Sequence, residues 1–270
     1  MNFGFIGAGN MVGAIVKGMT LGEAGYKGKN IYVTSKSVSS AVKLAEECGA
    51  NVCTTSKEVI SKSDVVILGV KPNVLSEILP QLMPDFSKKM PVVVSIAAGK
   101  TLEYLSQHLP EKTPIVRVMP NINAKIGAST TGICGNEYVS PEVKLLIEDI
   151  FSTIGTVVEI DESQFAIFSV IGGASVAFAY LYMDALAHAA LKAGMPKKQA
   201  LKITAETVLG SARMVLEGGE APWPLIDQVC SPGGTTIEGV ASLQAGGFET
   251  TLVRAFDAVL AKDKAIGEKK

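Results

Sequence analysis

The chain has 270 residues, 47% of them hydrophobic, and a formal net charge of −1. That size suits one large domain or two ordinary ones with a full core, and the balanced charge excludes a basic field for nucleic acid. The four cysteines form no C-x-x-C pair and only two histidines are present, so no metal site is predicted. Scattered free thiols are typical of a reducing compartment and favour a cytoplasmic location.

The N-terminal part alternates short apolar runs with amphipathic stretches such as Ala41–Cys48 and Val74–Leu82. The apolar runs predict strands at Asn2–Ile6, Ile31–Thr34, Val65–Val70, Val92–Ile96 and Ile115–Met119. Runs that are apolar throughout are typical of strands buried on both faces. The alternation predicts an α/β fold in which helices cover both faces of a parallel sheet.

A glycine-rich turn follows the first strand and begins the first helix. Its predicted cofactor contacts are Gly7, Ala8, Gly9, Asn10 and Met11. Gly7 permits the tight turn, Gly9 lets a pyrophosphate approach the backbone, and the helix directs its free N–H groups at the anion. The third position of G-x-G-x-x-G is Val12, and the next residue, Gly13, is the candidate for relieving crowding between helix and strand. Residues 1–160 are therefore predicted to form a Rossmann-type dinucleotide-binding domain.

The end of the second strand bears on which dinucleotide binds. An NAD-preferring site places Asp or Glu there, to hold the ribose 2′-hydroxyl. This chain has hydroxyls and one cation instead, at Ser35, Lys36 and Ser37. These residues favour binding of a 2′-phosphate and predict NADPH as the cofactor, with NADH possible. The alternative interpretation is a solvated polar loop.

The pattern changes near residue 160, and residues 161–270 are predicted to form an all-helical domain. Helices are predicted at about 163–193, 197–217, 235–244 and 248–266. The uncharged stretch Gln164–Met183 is long enough to suggest a membrane span. It contains Ser and Gly and continues into Asp184 and His188, so we interpret it as one helix buried against another subunit. We expect no membrane partner and at least a homodimer through the C-terminal helices, possibly a higher oligomer.

A loop and helix start at 227–239 give the strongest signal for a substrate site. Ser231 and Pro232 interrupt the chain, Gly233 and Gly234 permit unusual backbone angles, and Thr235 and Thr236 begin a helix. Free N–H groups flanked by hydroxyls suit a small carboxylate. The alternative interpretation is an ordinary capped helix.

The motif SPGGTT at 231–236 resembles the signature of pyrroline-5-carboxylate reductases. IGAGNM at 6–11, VKP at 70–72 and RVMPN at 117–121 resemble that family in the same order, over essentially the whole chain. The resemblance implies reduction of 1-pyrroline-5-carboxylate to L-proline with NAD(P)H, the last step of proline biosynthesis. It implies further cofactor contacts at Val70, Lys71, Pro72, Met119, Pro120 and Asn121. It implies substrate contacts at Ser231, Gly233, Gly234, Thr235 and Thr236, the Thr236 hydroxyl reaching the imine nitrogen as the catalytic group.

Three departures from the family pattern are present. Val12 stands where the family has glycine, and Ser56, predicted to contact the cofactor, stands where an asparagine near the adenosine ribose is expected. The segment Gly172–Phe178 lacks the proline of the corresponding family segment. This last departure leaves a related cyclic imine as an alternative substrate.

Neither histidine lies in a glycine-rich motif, which fits imine reduction, because a cyclic imine arrives protonated or nearly so. A β-hydroxyacid dehydrogenase would need a lysine on the interdomain helix, and none occurs between Lys144 and Lys192. The rival from a different class is a non-catalytic NADP-binding regulatory protein, against which the intact 231–236 motif argues.

Overall fold

The computed structural model describes residues 1–22 and 24–267, with the side chains of 266 and 267 left out. These residues form an eight-stranded sheet in the order β3-β2-β1-β4-β5-β6-β7-β8. All neighbouring strands are parallel except β6 and β7. The strands are β1 (Phe3–Ile6), β2 (Ile31–Thr34), β3 (Asn51–Val52), β4 (Val65–Leu68), β5 (Val92–Ser95), β6 (Ile115–Met119), β7 (Ser129–Gly135) and β8 (Gly155–Glu159).

Six helices cover the two faces of this sheet. They are α1 (Asn10–Leu21), α2 (Val38–Cys48), α3 (Ser56–Lys62), α4 (Pro72–Lys89), α5 (Leu102–Gln107) and α6 (Pro141–Ser152). One hydrophobic cluster joins side chains of α1, α2 and α6 to one face, and a second joins α3, α4 and α5 to the other. Strands β1 and β4 are buried along their whole length between the two clusters. The predicted Rossmann-type fold is confirmed.

Two features of this region differ from the sequence-based expectation. The sheet extends beyond β6 through β7 and β8, and β7 runs antiparallel to β6, so the sheet is mixed. Helix α4 begins at Pro72 and continues to Lys89 through Pro80 and Pro84. Both internal prolines lie on the exposed side of the helix, where the carbonyls that lose an N–H partner face water.

The chain after residue 160 is helical, as predicted. Its helices are α7 (Phe165–Phe168), α8 (Ser175–Lys192), α9 (Lys197–Gly218), α10 (Pro222–Val229), α11 (Thr235–Ala245) and α12 (Phe248–Gly267). A 3₁₀ turn at Glu162–Gln164 precedes α7, and a π-turn at Ser169–Ala174 joins α7 to α8. Helix α10 was not predicted, because its prolines were interpreted as part of a break. The contacts between residues divide the chain into two compact units. One comprises Met1–Gly173 together with the C-terminal residues from Lys262, and the other comprises Ala174–Ala261.

Most of the second unit's apolar side chains are exposed in the single chain. In α8 the buried residue is Ala187, whereas Leu181 is 71% exposed. In α9, Leu216 is 82% exposed. Among the described residues one helical stretch, Glu162–Lys192, is long and apolar enough to cross a membrane, and it coincides with the predicted interface helix. An exposed apolar surface of this kind indicates a site of interaction with another molecule.

An ion pair fastens the start of the long helix to the sheet. Glu162 Oε1 accepts hydrogen bonds from Arg117 Nη1 at 2.9 Å and from the backbone N–H of Leu102 at 2.6 Å. The Arg117 guanidinium lies 4.3 Å from the Phe165 ring centroid, and its side chain is 12% exposed. A largely buried guanidinium with two partners holds these elements in one register.

Replacing Arg117 by Met is expected to lower the free energy of unfolding by about 2 kcal/mol, because a half-buried carboxylate loses its charged partner. Urea unfolding of the apoprotein measures this. Lys62→Met is the control, since it breaks an exposed pair with Glu58 on α3 and is expected to cost less than about 0.5 kcal/mol. Equal effects of the two substitutions would contradict the anchoring role of Arg117.

Candidate active site

The loops predicted to bind the nucleotide lie at one edge of the sheet. The neighbours of β1 are β2 on one side and β4 on the other, so the strand order reverses at this point. The carboxyl ends of the three strands are level: Ile6 pairs with Thr34 and with Leu68. Ligands of open α/β sheets bind in the crevice outside such a reversal. The turn after β1 therefore occupies the expected cofactor position.

Gly7 and Gly69 make the close approach between the first turn and β4. Gly7 has φ +117°, and a Cβ there would lie 2.4 Å from the carbonyl oxygen of Gly69. A Cβ on Gly69 would in turn lie 2.1 Å from a methyl of Val12. Val12 is buried, so the space that the third fingerprint glycine usually provides is provided here by Gly69.

This packing corrects the role expected of Gly13. A Cβ on Gly13 would meet no atom within 4 Å, so Gly13 does not relieve helix–strand crowding. Gly69 was missed by the sequence analysis. It follows the apolar run of β4 directly, and a glycine at the end of a buried strand was the available signal.

The N-terminus of α1 opens onto a groove between α1 and α2 that suits a phosphate group. Gly9 is the N-cap of α1, and a Cβ placed on it would meet no atom within 4 Å. No side chain caps the helix, and its first turn carries no acidic residue. Lys17, Lys43 and Lys125 line the groove. Glu47 also lines it, but its carboxylate is paired with Lys17 at 2.7 Å. Open backbone N–H groups beside cations fit the pyrophosphate of a dinucleotide.

A serine cluster occupies the predicted 2′-phosphate position. Ser37 Oγ lies 3.0 Å from Ser39 Oγ and accepts a hydrogen bond from Ser40 Oγ at 3.2 Å. Ser37 is the N-cap of α2 but makes no capping hydrogen bond, and Lys36 beside it is exposed. Ser35 is half-buried at the end of β2. The sequence analysis missed Ser39 and Ser40, which it did not separate from the helix that follows.

The remaining predicted cofactor residues lie at carboxyl ends of other strands. Val70 follows β4, Lys71 is the N-cap of α4 and Pro72 is its first residue. Pro72 therefore also has the helix-starting role that its type favours. Ser56 is the first residue of α3, after β3, and that helix is capped by Thr55. Met119 ends β6 and Pro120 follows it. The structure brings these loops to the same edge of the sheet as the glycine-rich turn.

The side chain of Asn121, which is also a predicted cofactor contact, is hydrogen-bonded within the protein. Its Oδ1 accepts a hydrogen bond from the backbone N–H of Asn123 at 3.0 Å, and its Nδ2 donates to the carbonyl of Gly172 at 2.7 Å. The residue is 8% exposed. Both ends of the amide are therefore bonded within the protein.

The predicted substrate residues form the turn into α11. Gly233 has φ +69°, and the N–H of Gly234 donates to the carbonyl of Ser231 at 2.9 Å. Gly234 is the N-cap of α11, and no side chain caps that helix. Thr235 and Thr236 are exposed in the first turn. The N-terminus of α11 therefore presents N–H groups and hydroxyls to solvent, as a carboxylate site requires.

The two histidines are engaged elsewhere. His108 ends α5, stacks on Tyr104 at 4.3 Å between ring centroids and is bonded through Nδ1 to the Tyr104 carbonyl. His188 on α8 lies 3.0 Å from the carboxylate of Asp184, which also pairs with Lys197 of α9 at 2.8 Å. Neither belongs to the glycine-rich turn or to the start of α11. Among the described residues no cluster of three His, Cys, Asp or Glu side chains is placed to hold a metal ion.

Comparison with known proteins decides the family. Residues 162–266 match the family model described as pyrroline-5-carboxylate reductase dimerisation, and residues 2–99 match one described as NADP oxidoreductase, coenzyme F420-dependent. The pyrroline-5-carboxylate reductase of Escherichia coli is 36% identical over 265 residues, 98% of each chain. The chain belongs to the pyrroline-5-carboxylate reductase family. The Arabidopsis thaliana reductase is 35% identical over 98% of this chain and 95% of its own.

Solved reductase structures have the same fold. The Coxiella burnetii pyrroline-5-carboxylate reductase superposes with a TM-score of 0.91 at 33% identity, covering 98% of this chain and 97% of that one. The Plasmodium falciparum enzyme, solved with NADP bound, gives 0.88 at 28% identity over 99% and 98%. The predicted family and the combination of a Rossmann-type domain with C-terminal helices are thereby confirmed.

One of the departures noted in the sequence has a local explanation in this reductase fold. Val12 is accommodated by Gly69, as described above. In the segment Gly172–Phe178, a Cβ on Gly172 would lie 2.6 Å from the Phe168 ring. The glycine of the π-turn is thus required by packing. The structure gives no physical account of the missing proline in that segment.

Proposed function

We propose that this chain reduces 1-pyrroline-5-carboxylate to L-proline with a hydride from NAD(P)H. The observation that carries the proposal is similarity over essentially the whole length to pyrroline-5-carboxylate reductases, 36% identity over 98% of both chains. The intact turn at 231–236 supports catalysis over a purely regulatory NADP-binding role. Residues 1–160 serve the dinucleotide, and residues 161–270 serve the substrate and dimerisation. We place the reaction in the cytoplasm, since reduction of an amino-acid precursor draws on soluble cofactor.

The glycine-rich turn would hold the dinucleotide. The open N–H groups of α1 beside Gly9 would bind its pyrophosphate, since the backbone there has no Cβ to hinder approach. Ser35–Ser37 and Ser56 would bind the adenosine ribose, and Val70 and the Met119–Asn121 loop would line the nicotinamide side. When bound, the reduced cofactor supplies the hydride, and the protein supplies position and electrostatics.

The substrate carboxylate is held at the start of α11. Its oxygens accept hydrogen bonds from the backbone N–H groups of Thr235 and Thr236, which no capping side chain occupies, whereas the Gly234 N–H is already bonded to the Ser231 carbonyl. The Thr236 hydroxyl oxygen accepts a hydrogen bond from the protonated imine nitrogen and fixes the ring. A C–H bond forms at the imine carbon, the C=N bond becomes single and the nitrogen carries the proton with which the cyclic iminium arrives. No general base is needed at the reacting carbon, in agreement with the histidine positions.

The active form is a homodimer through the C-terminal helices. The support is the apolar surface that α8 and α9 expose in the single chain and the match of residues 162–266 to a dimerisation family. Covering Leu181, Leu216 and their neighbours with the same faces of a second copy removes this surface from water. Each subunit's helices then help to close its partner's pocket.

NADPH is the preferred cofactor, and Lys36 is the residue that distinguishes it. Replacing Lys36 by Glu is expected to raise KM for NADPH by at least about tenfold, because a carboxylate repels the 2′-phosphate, and to raise it little for NADH, whose 2′-hydroxyl it can accept. Lys27→Glu is the matched control. It makes the same charge change at an exposed residue before β2, on the opposite edge of the sheet. A wild-type preference for NADH would overturn the assignment.

The direct test of the activity is NADPH oxidation, followed by absorbance, with 1-pyrroline-5-carboxylate and, for comparison, with its six-membered analogue 1-piperideine-6-carboxylate. The expected result is a higher kcat/KM for the five-membered substrate and stoichiometric L-proline. A preference for the six-membered ring would support the related-imine alternative. NADPH binding without turnover of either imine would support the non-catalytic alternative.

A further inference from the structure

A buried chain of polar groups runs from the nicotinamide-side loop to the π-turn. Ser129 Oγ accepts from the backbone N–H of Asn121 at 3.0 Å and lies 3.1 Å from Thr131 Oγ1. The Asn121 amide continues the chain to Asn123 and Gly172. Ser129 is 1% exposed and Thr131 is fully buried. Buried polar groups that satisfy one another fix a single arrangement of the elements that carry them.

The orientation of the Asn121 amide follows from its partners. The group opposite Oδ1 is an N–H, which only an oxygen can accept, and the group opposite Nδ2 is a carbonyl, which requires a donor. One end of the side chain therefore caps the 3₁₀ turn Ile122–Ile126, and the other end holds the π-turn. These two functions can be separated by substitution.

The π-turn is where the long helix changes its hydrogen-bonding register. Between Ser169 and Ala174 the backbone follows i→i+5 spacing before α8 begins at Ser175. The ring of Phe168 packs closely on Gly172, and a Cβ on Gly173 would lie 3.7 Å from the Cε of Met119. The same turn thus contacts the last residue of β6 and the amide that follows it.

We propose that Asn121 is a positioning residue, whose amide fixes the π-turn to the loop after β6 and so holds that loop in one arrangement on the nicotinamide side of the cofactor site. The inference rests on the proposed function for its effect on turnover. It assigns the Asn121 side chain to the protein and not to the cofactor. Loss of the bond from Nδ2 to Gly172 is expected to lower kcat and leave KM for NADPH near its wild-type value.

The substitution Asn121→Asp distinguishes the two hydrogen bonds of the amide, because it removes the donor and keeps an acceptor. The carboxylate keeps an acceptor for the Asn123 N–H but sets an oxygen against the Gly172 carbonyl. Burial beside that carbonyl raises the pKa of the new carboxyl, because the neutral form alone can donate there. Its protonation restores the donor, so the kcat of the variant relative to wild type is expected to be about tenfold down near pH 9 and to recover as the pH falls toward about 6.

Few charged side chains lie on the elements that pack around Asn121. β7 and the segment 165–174 carry no charged side chain. β6 carries Arg117, paired with Glu162, and the 3₁₀ turn carries Lys125. α1, which packs against that turn, carries Lys17, paired with Glu47. Dividing by the wild-type rate at each pH removes the titration of these groups and of the imine.

Asn123→Asp is the matched control, with the same charge two residues along, and its ratio to wild type is expected to stay flat. Asn121→Ala lacks any donor, so its kcat is expected to be lower than that of wild type at every pH, without recovery at low pH. This variant tests the proposal if the Asp variant does not fold. A raised KM for NADPH with unchanged kcat in either Asn121 variant, or a flat ratio for Asn121→Asp, would overturn the proposal.

A second readout is independent of the reaction. The melting temperature of the apo Asn121→Asp protein, relative to Asn123→Asp, is expected to rise as the pH falls through the same range. If wild type does not turn over 1-pyrroline-5-carboxylate, the proposed function fails, while this melting difference still decides whether the amide holds the π-turn. A pH-independent difference would contradict the bond.

Discussion

Gly7→Ala is expected to disrupt the turn between β1 and α1 and to abolish cofactor binding. Gly7 has φ +117°, and the new methyl would lie 2.4 Å from the carbonyl oxygen of Gly69. This oxygen belongs to the backbone and, unlike a side chain, cannot move away by rotation. Backbone strain and this clash together should cost more than about 3 kcal/mol. The same distortion at the binding surface corresponds to at least about 100-fold weaker NADPH binding. Thermal unfolding and NADPH fluorescence titration measure the two effects.

Gly9→Ala is the informative comparison. Its φ is −78°, and a Cβ there meets no protein atom within 4 Å, so the fold should be unaffected. If a pyrophosphate lies on the N–H groups of α1, the added methyl obstructs it, and NADPH affinity should fall at least about tenfold. Unchanged NADPH affinity in Gly9→Ala would show that the dinucleotide does not use this turn.

Thr236→Ala is expected to lower kcat/KM for 1-pyrroline-5-carboxylate by about 10- to 100-fold, the value of one hydrogen bond to a charged or polar partner. Thr236 is exposed and does not cap α11, so its removal should leave stability unchanged. The dissociation constant for NADPH should also be unchanged, because the residue serves the imine.

Steady-state kinetics with Thr236→Ser and Thr236→Val complete this test. Ser keeps the hydroxyl and should retain activity within about threefold, whereas Val has the shape of Thr without the hydroxyl and should behave as Ala does. Wild-type turnover by the Ala or Val variant would remove Thr236 from the mechanism.

The sequence predicted the parts of the fold that depend on local pattern. Strands β1 and β4 are apolar and buried along their whole length, and that pattern identified them. β7 was missed because its sequence, STTGICG, places Ser129 and Thr131 inward, where they bond to each other and to the Asn121 loop. Polar residues that face inward and are hydrogen-bonded within the protein interrupt the apolar pattern of a buried strand. The sequence of such a strand therefore resembles that of a loop.

The predicted site residues differ in how far local sequence pattern accounts for their structure. The glycine-rich turn and the 231–236 turn carry local backbone requirements, and these are visible in the residue types. The role of Gly69 depends on Val12 from another element, and the role of Asn121 depends on Gly172, which is 51 residues away. Such pairs are set by packing, which no local pattern encodes.

A crystal structure of the oligomer with NADP⁺ and L-proline tests the central claim most directly. We expect the proline carboxylate on the N–H groups of Thr235 and Thr236, with Cδ of the proline ring about 3.5 Å from C4 of the nicotinamide. Residues 231–236 lying away from the nicotinamide in every subunit, with proline bound elsewhere, would contradict the account.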